Sequence, residues 1–383
     1  MTGWMATTVT YDLVRQLAAF RASNGCAISV YLDLDPSSTP TTSDVETKFN
    51  AVLSQVEKDA EAYVQERDDD CRTAVREDLE QIRVWWDTEF ERDGARGVAI
   101  FASSGDGLFK ALSLPEAVGD SVQIGPSLHL GPIAGRLGRD DGALVAVVSR
   151  ERGTVYRLTG GHLQEVVDES DDVPGRHGQG GWSQARYQRH IEHLVMQHLK
   201  TIGEELDKRV RRQGHLKLVV VCPEELRGEF ESALSNEARV ALVGWVTAET
   251  HAGPDELLEI VRPSLDEAQA HEEQESLEYW QEEQGRGGRA AAGWKQVLDA
   301  ASDARVDVLL VEEGAHQQAW QCPQCGRASA DGGKCPLDDT KLEERPGGAD
   351  LAIQQTLLHG GSLVRLGSGA LGDAAGIAAL LRF

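Results

Sequence analysis

From Ser183 onward the apolar residues Tyr187, Ile191, Leu194, Val195, Leu199, Ile202, Leu206 and Val210 recur at three- and four-residue steps. That period marks an amphipathic helix running to about Arg212, roughly 45 Å long at 1.5 Å per residue. Directly before it stands Gly175-Arg176-His177-Gly178-Gln179-Gly180-Gly181-Trp182. Glycine has no Cβ, so Gly175, Gly178, Gly180 and Gly181 permit positive φ, close backbone approach and use of their N–H groups as donors. The fold must therefore carry a loop poor in side chains at the end of a rod.

The 383-residue chain has a net charge of -25, yet between Arg176 and Lys217 nine Lys/Arg stand against four Asp/Glu. Attraction to a polyanion is screened beyond about 8 to 10 Å at physiological salt, so a partner such as RNA reads the local surplus. Arg186, Arg189, His190 and His193 share one helix face near the loop, where they can grip phosphates. The overall acidity argues for one docking surface rather than general nucleic-acid coating. The plainer alternative is a glycine turn capping an ordinary solvated helix.

This segment resembles the GGQ loop and following helix of the class I release factors of eukaryotes and archaea, in which His-Gly-x-Gly-Gly-Gln-Ser leads into an Arg-rich helix. His177-Gly178-Gln179-Gly180-Gly181, Ser183, Arg186, Tyr187 and Arg189 fit that pattern. Aligned without gaps, however, the family's catalytic glutamine position holds Trp182. Gln184 follows in Gly-Gly-Trp-Ser-Gln, which is also similar to the Gly-Ser-Gln loops of Vms-type peptidyl-tRNA hydrolases. A one-residue bulge around Trp182 would bring Gln184 to the tip, and which of the two occupies it stays open. The resemblance implies that Gln184, with Gly180 and Gly181, positions water and stabilises the oxyanion when the peptidyl-tRNA ester is cleaved. Such chemistry needs positioning and donors rather than a charged base. Arg176, His177, Trp182, Arg186, Arg189 and His190 would contact RNA, Trp182 by stacking on a base.

Length suggests two or three domains. Residues 1–135 read as an α/β unit, with a buried strand at Ala27 to Leu34 and a helical tract from Ser43 to Arg92, broken near Asp68-Asp69-Asp70. On the helical tract, Trp85-Trp86 suits buried packing better than partner contact. Residues 141–284 begin with short strands at Ala143 to Ser149, Thr154 to Leu158 and Leu163 to Val167, a meander. After the loop and helix come strands Leu216 to Val221 and Val240 to Val243, a helix from Pro223 between them, and a charged helix ending near Gln284. Residues 286–383 hold a helix over Ala291 to Ala301 and an apolar strand Val306 to Val311. Val306-Asp307-Val308-Leu309-Leu310 and the tail Gly376 to Phe383 resemble the third domain of the same release factors. The expected fold is α/β, with a three-domain release-factor-like architecture and a zinc-binding insertion in the third domain.

That insertion, about residues 319–344, contains Cys322-Pro323-Gln324-Cys325-Gly326 and Cys335-Pro336-Leu337-Asp338. Thiolates three apart can face one ion, and zinc accepts three sulfurs and one oxygen. The candidate ligands are Cys322, Cys325, Cys335 and Asp338, with Asp339 or His316 as substitutes for the last. A hairpin that folds without metal is the alternative. Four protein ligands leave no open position, so the zinc would be structural. Archaeal release factors carry a similar zinc insertion. The remaining cysteines, Cys26, Cys71 and Cys222, are isolated, which fits a reducing compartment better than a disulfide framework.

The family's codon-reading Asn-Ile-Lys-Ser run does not occur in the chain, nor does a P-loop or an HExxH motif. Residues Met1 to Thr10 lack a leader pattern and 18 consecutive apolar residues occur nowhere, so a cytoplasmic protein without membrane contact is expected. The resemblance implies a monomer that docks in the ribosomal A site, with rRNA and peptidyl-tRNA as partners and an elongation-factor-like GTPase as a possible carrier. Its activity would be hydrolysis of peptidyl-tRNA on stalled ribosomes. The alternative is a non-catalytic occupant of the A site and peptidyl-transferase centre, similar to Balon-type hibernation factors. The histidines His190, His193 and His198 are expected to be solvated or RNA-facing.

Overall fold

The computed structural model describes residues 9–23, 26–64, 69–92, 94–135, 141–159, 161–170, 182–212, 216–247, 252–345 and 347–383. Of these, the side chains of 11, 64, 69–71, 141, 169–170 and 182–191 lie outside the description. The architecture is mixed α/β. The three segments expected from the sequence resolve into two compact units, one of residues 1–137 with 273–383 and one of residues 138–272.

The first unit opens with α1 (Tyr11–Ala19), β1 (Ala27–Asp33), α2 (Thr42–Val64), α3 (Asp69–Thr88), β2 (Gly97–Ser103), β3 (Leu108–Leu114), β4 (Ser121–Gly125) and the single turn α4 (Gly131–Ala134). Strands β3-β2-β1-β4 form an antiparallel sheet. Alternate residues of β1 face opposite ways. Ile28, Val30 and Leu32 join a core with Val45, Phe49, Leu53, Trp85 and Trp86 of the two helices. Trp86 stacks on Phe49 at 3.9 Å and on Phe90 at 4.0 Å, so the tryptophan pair is packing, as expected.

The second unit holds β5 (Asp141–Val148), β6 (Arg152–Thr159), β7 (His162–Ser170), α5 (Trp182–Arg212), β8 (Lys217–Val221), α6 (Glu224–Ala233), α7 (Asn236–Ala241), β9 (Leu242–Val246) and the beginning of α8 (Pro254–Arg286). The sheet order is β7-β6-β5-β8-β9, an antiparallel meander extended by parallel strands. Both faces of β5 and β8 are covered, which is why they read as continuous apolar runs. Leu144, Ala146, Leu218 and Val220 meet α5 and α6, while Val145, Val219 and Val221 meet Leu257, Val261 and Leu265 of α8. The strand expected at Val240 to Val243 begins two residues later. Ser235 caps α7, its hydroxyl accepting from Ala238 N at 3.1 Å, and the helix holds Val240 in solvent, 86% exposed. A local cap here outweighs the β preference of the Val-rich segment.

The remainder of the first unit comprises β10 (Ala290–Ala292), α9 (Gly293–Ser302), β11 (Val306–Glu312), β12 (Ala319–Gln321), β13 (Ala328–Ser329), β14 (Glu343–Arg345), α10 (Gly348–Leu358), β15 (Ser362–Leu366) and β16 (Ile377–Leu381). Its sheet runs β10-β16-β11-β15, and β13-β12-β14 form a small separate sheet around the cysteines. The helix expected from Ala291 starts at Gly293 because Ala290–Ala292 pair with β16. One core joins Val14 and Leu17 of α1, Leu128, Leu130 and Ile133 to Trp294, Val297, Leu309 and Leu351. This shared core is the physical reason that residues 1–135 and 286–383 do not separate.

Candidate functional site

Helix α5 is continuous over 31 residues and ends at Arg212. Trp182 is its first residue and Gln184 its third, so Gln184 rides on the first helical turn. N–H groups of a first turn have no acceptor within the helix and face outward along its axis. Arg176, His177, Gly180 and Gly181 lie outside the described residues, as do the side chains of Trp182, Gln184, Arg186, Arg189 and His190. Their backbone from Trp182 onward is helical.

The far half of α5 is anchored. Val195, Leu199, Ile202, Leu206 and Val210 are buried against the sheet and α6. Two glycines make room for it. A Cβ at Gly153 would lie 2.0 Å from Ile202, and one at Gly203 would lie 2.6 Å from the Ala233 carbonyl oxygen. His198 is fully buried, which corrects the expectation of a solvated or RNA-facing ring: it sits one residue before Leu199, on the packed face. His193 is exposed.

The cation count also contracts. Lys200 pairs with Glu204, Lys208 and Arg209 with Glu205, and Arg211 with both Asp207 and Glu237. Lys217 is nearly buried and meets Gln269 at 2.6 Å and Glu272 at 2.9 Å. Glu205 is held below its usual range, first by Lys208 and then by Arg209. Four of the five Lys/Arg in the far half of α5, Lys200, Lys208, Arg209 and Arg211, are therefore paired with acids.

The cysteine segment in the first unit folds as two copies of one turn. Cys322 N donates to Arg327 O and Gly326 N to Cys322 O; likewise Cys335 N donates to Thr340 O and Asp339 N to Cys335 O. The fifth residue of each turn is left-handed, Gly326 at φ 81 and Asp339 at φ 57. The repeat makes Asp338 the counterpart of Cys325, while Asp339 is the left-handed residue after it. The donor atoms of Cys322, Cys325, Cys335 and Asp338 lie within 4.8 Å of one another, and His316 is not among them. Cys325 and Cys335 sulfurs are 3.6 Å apart, and Cys322 Sγ is 3.4 and 3.6 Å from the Asp338 oxygens. A tetrahedral zinc with its usual bond lengths requires edges of about 3.8 Å between sulfurs and about 3.5 Å from sulfur to oxygen. The four residues fit such an ion. Asp338 is held down at about 2, chiefly by the Thr340 backbone N–H, so it is a ready anionic donor.

A further cluster carries no sequence motif. Asp350 of α10 accepts from Leu130 N and Gly131 N, both at 2.8 Å, and its carboxylate lies 3.1 Å from His129 Nδ1. That last approach has ion-pair distance without hydrogen-bond alignment. Burial opposes the charge on His129, but Asp350 outweighs it and the imidazole titrates above its usual range. The partners are 221 positions apart, beyond the reach of any spacing rule.

Residues 129–269 match the model of bacterial archaeo-eukaryotic release factor family 10. Peptide chain release factor subunit 1 of Methanopyrus kandleri is 28% identical over 206 residues, covering 52% of this chain and 50% of that protein. The Archaeoglobus fulgidus counterpart is 26% identical over 189 residues, covering 47% and 46%. The chain thus spans about half the length of the curated relatives it matches. An archaeal translation termination factor, aRF1, aligns over 98% of this chain and 99% of that chain, at 19% identity and a TM-score of 0.28. Over these residues the chain is similar to the bacterial and archaeal release factors. Among the described residues, no helix is long and apolar enough to cross a membrane.

Proposed function

We propose that this protein is a cytoplasmic, monomeric translation factor that binds the ribosomal A site and presents residues 175–181 and the first turn of α5 to the peptidyl-transferase centre. The observation that carries this reading is the family match over residues 129–269, which includes the meander, the glycine loop and all of α5. Arg176, Arg186, Arg189, His177 and His190 would hold rRNA or tRNA phosphates, with Trp182 stacking on a base. The Gln184 amide would position the water that attacks the peptidyl-tRNA ester. Backbone N–H groups of Gly180, Gly181 and the first helical turn would meet the developing oxyanion. No charged base is required, since orientation and donors supply the stabilisation. Release of labelled peptide from stalled complexes tests the proposal. Gln184→Ala should slow the single-turnover rate about 100-fold or more, and an unchanged rate sinks the hydrolytic role.

One observation favours a second reading, a non-catalytic occupant that protects idle ribosomes: Trp182 stands where the family has its glutamine. Co-sedimentation with vacant ribosomes but no peptide release would decide for it. Delivery by an elongation-factor-like GTPase fits either reading, and GTP-dependent co-sedimentation with such a protein tests it.

Zinc is the proposed occupant of the Cys322, Cys325, Cys335 and Asp338 cluster, supported by the donor spacings and the repeated turn. With four protein ligands the ion would hold the small sheet together and take no part in hydrolysis. Metal analysis of the purified full chain should find one zinc per molecule. Asp338→Cys should tighten binding by completing a four-sulfur set, and Asp338→Ala should weaken it. Equal affinities in all three chains would remove Asp338 from the ligand set.

A further inference from the structure

The first ligand turn is gripped from outside the cysteine segment. Arg21, two residues beyond the end of α1, donates from Nη2 to the backbone oxygens of Cys322 at 3.1 Å and Pro323 at 2.9 Å. On α10, Gln355 donates to Gly326 O at 3.3 Å, where Gln321 also donates at 3.2 Å. Its neighbour Gln354 donates to Ala18 O in the last turn of α1, at 3.2 Å. Three carbonyls of one five-residue turn are thus occupied by donors, and α1 and α10 are tied to the turn and to each other. Gly326 suits this position: its φ is 81, and a Cβ would lie 2.8 Å from Arg21 Nη1, so the guanidinium would have to shift to admit one.

We infer that Arg21 is a positioning residue of the metal site, contributed by the exit of α1, and that metal binding and the docking of α1 stabilise each other. The inference rests on the zinc reading of the cysteine cluster. Arg21 holds the Cys322 and Pro323 peptides in the orientation that turns the Cys325 N–H toward Cys322 Sγ, 3.5 Å away. Outer groups that orient ligands contribute about 10- to 100-fold to metal affinity. The coupling is reciprocal: a turn released from its ion no longer keeps its carbonyls converged on one guanidinium, and α1 loses that attachment.

Two measurements on the full chain test this. Zinc affinity, read by competition with a chromophoric chelator, should fall about tenfold in Arg21→Ala. Amide hydrogen exchange across Tyr11–Ala19 of the unmutated chain should speed up when zinc is removed, while exchange in α3 stays constant. The exchange experiment needs no variant, so it decides the matter if Arg21→Ala fails to fold. Unchanged affinity in Arg21→Ala, or α1 exchange indifferent to zinc, overturns the inference. Failure of the unmutated chain to take up zinc would instead overturn the zinc reading, and this inference with it.

Discussion

The two halves of α5 differ in charge pattern although the sequence runs through them without a break. The half that follows the glycine loop carries Arg186, Arg189, His190 and His193 with a single acid, Glu192. The half that ends at Arg212 mixes Lys200, Lys208, Arg209, Arg211 and Arg212 with Glu204, Glu205 and Asp207 at three- and four-residue steps. Those steps bring side chains together on a helix, so the far half pairs with itself. It also supplies the buried stripe from Leu199 to Val210. The lesson is that a cation count along a helix overstates the surface offered to a polyanion.

The sharpest way to break this division is to loosen the far half. Ile202→Ala removes the side chain packed on Gly153 and should cost about 2–5 kcal/mol, read as a lower midpoint of denaturant unfolding. If stability hardly changes, the far half is not the anchor. Ser235→Ala is expected to cost about 1 kcal/mol, because the hydroxyl both caps α7 and donates to Asp207 at 2.6 Å. Acid should act on the same region. Asp207 is held below its usual range first by Ser235 and Glu205 first by Lys208. A depressed carboxylate stabilises the fold above its unfolded pKa, and that contribution is lost as pH falls through the folded value. Amide protection at residues 199–212, taken relative to the intrinsic exchange rate at each pH, should therefore fall below about pH 4, and protection unchanged down to about pH 3 would argue against the pairs. The smallest effect belongs to Lys208→Ala, an exposed partner whose loss should move stability by less than about 0.5 kcal/mol. A larger loss would mean the pairs, rather than the packed stripe, hold the helix.

Much of this was legible in the residues themselves. The period of α5, the meander β5-β6-β7, the buried tryptophan pair and the cysteine spacing depend on local patterns, and local patterns survive folding. The misplaced start of β9 came from a competition between a serine cap and β-branched residues that propensity does not arbitrate. His198 departs from the expectation because it stands three residues after Val195 and four before Ile202, on the buried stripe of the helix. The reach of Asp350 to residues 129–131 and of Arg21 to the cysteine turn joins positions more than 200 apart. Topology creates those contacts, and nothing in the spacing of either partner announces them. The repeated turn lies between these extremes: the Cys-x-x-Cys and Cys-x-x-Asp spacings were visible, but the matching hydrogen bonds that equate Asp338 with Cys325 required the fold.

The proposed function requires the loop-side half of α5 to meet ribosomal RNA and the far half to stay clear of it. Co-sedimentation with ribosomes over a salt series compares the two directly. Arg186→Ala with Arg189→Ala should weaken binding and lower the salt slope by about two, whereas Lys208→Ala with Arg211→Ala should bind as the unmutated chain does. Equal losses in the two double variants, or a loss confined to the second, would contradict the account.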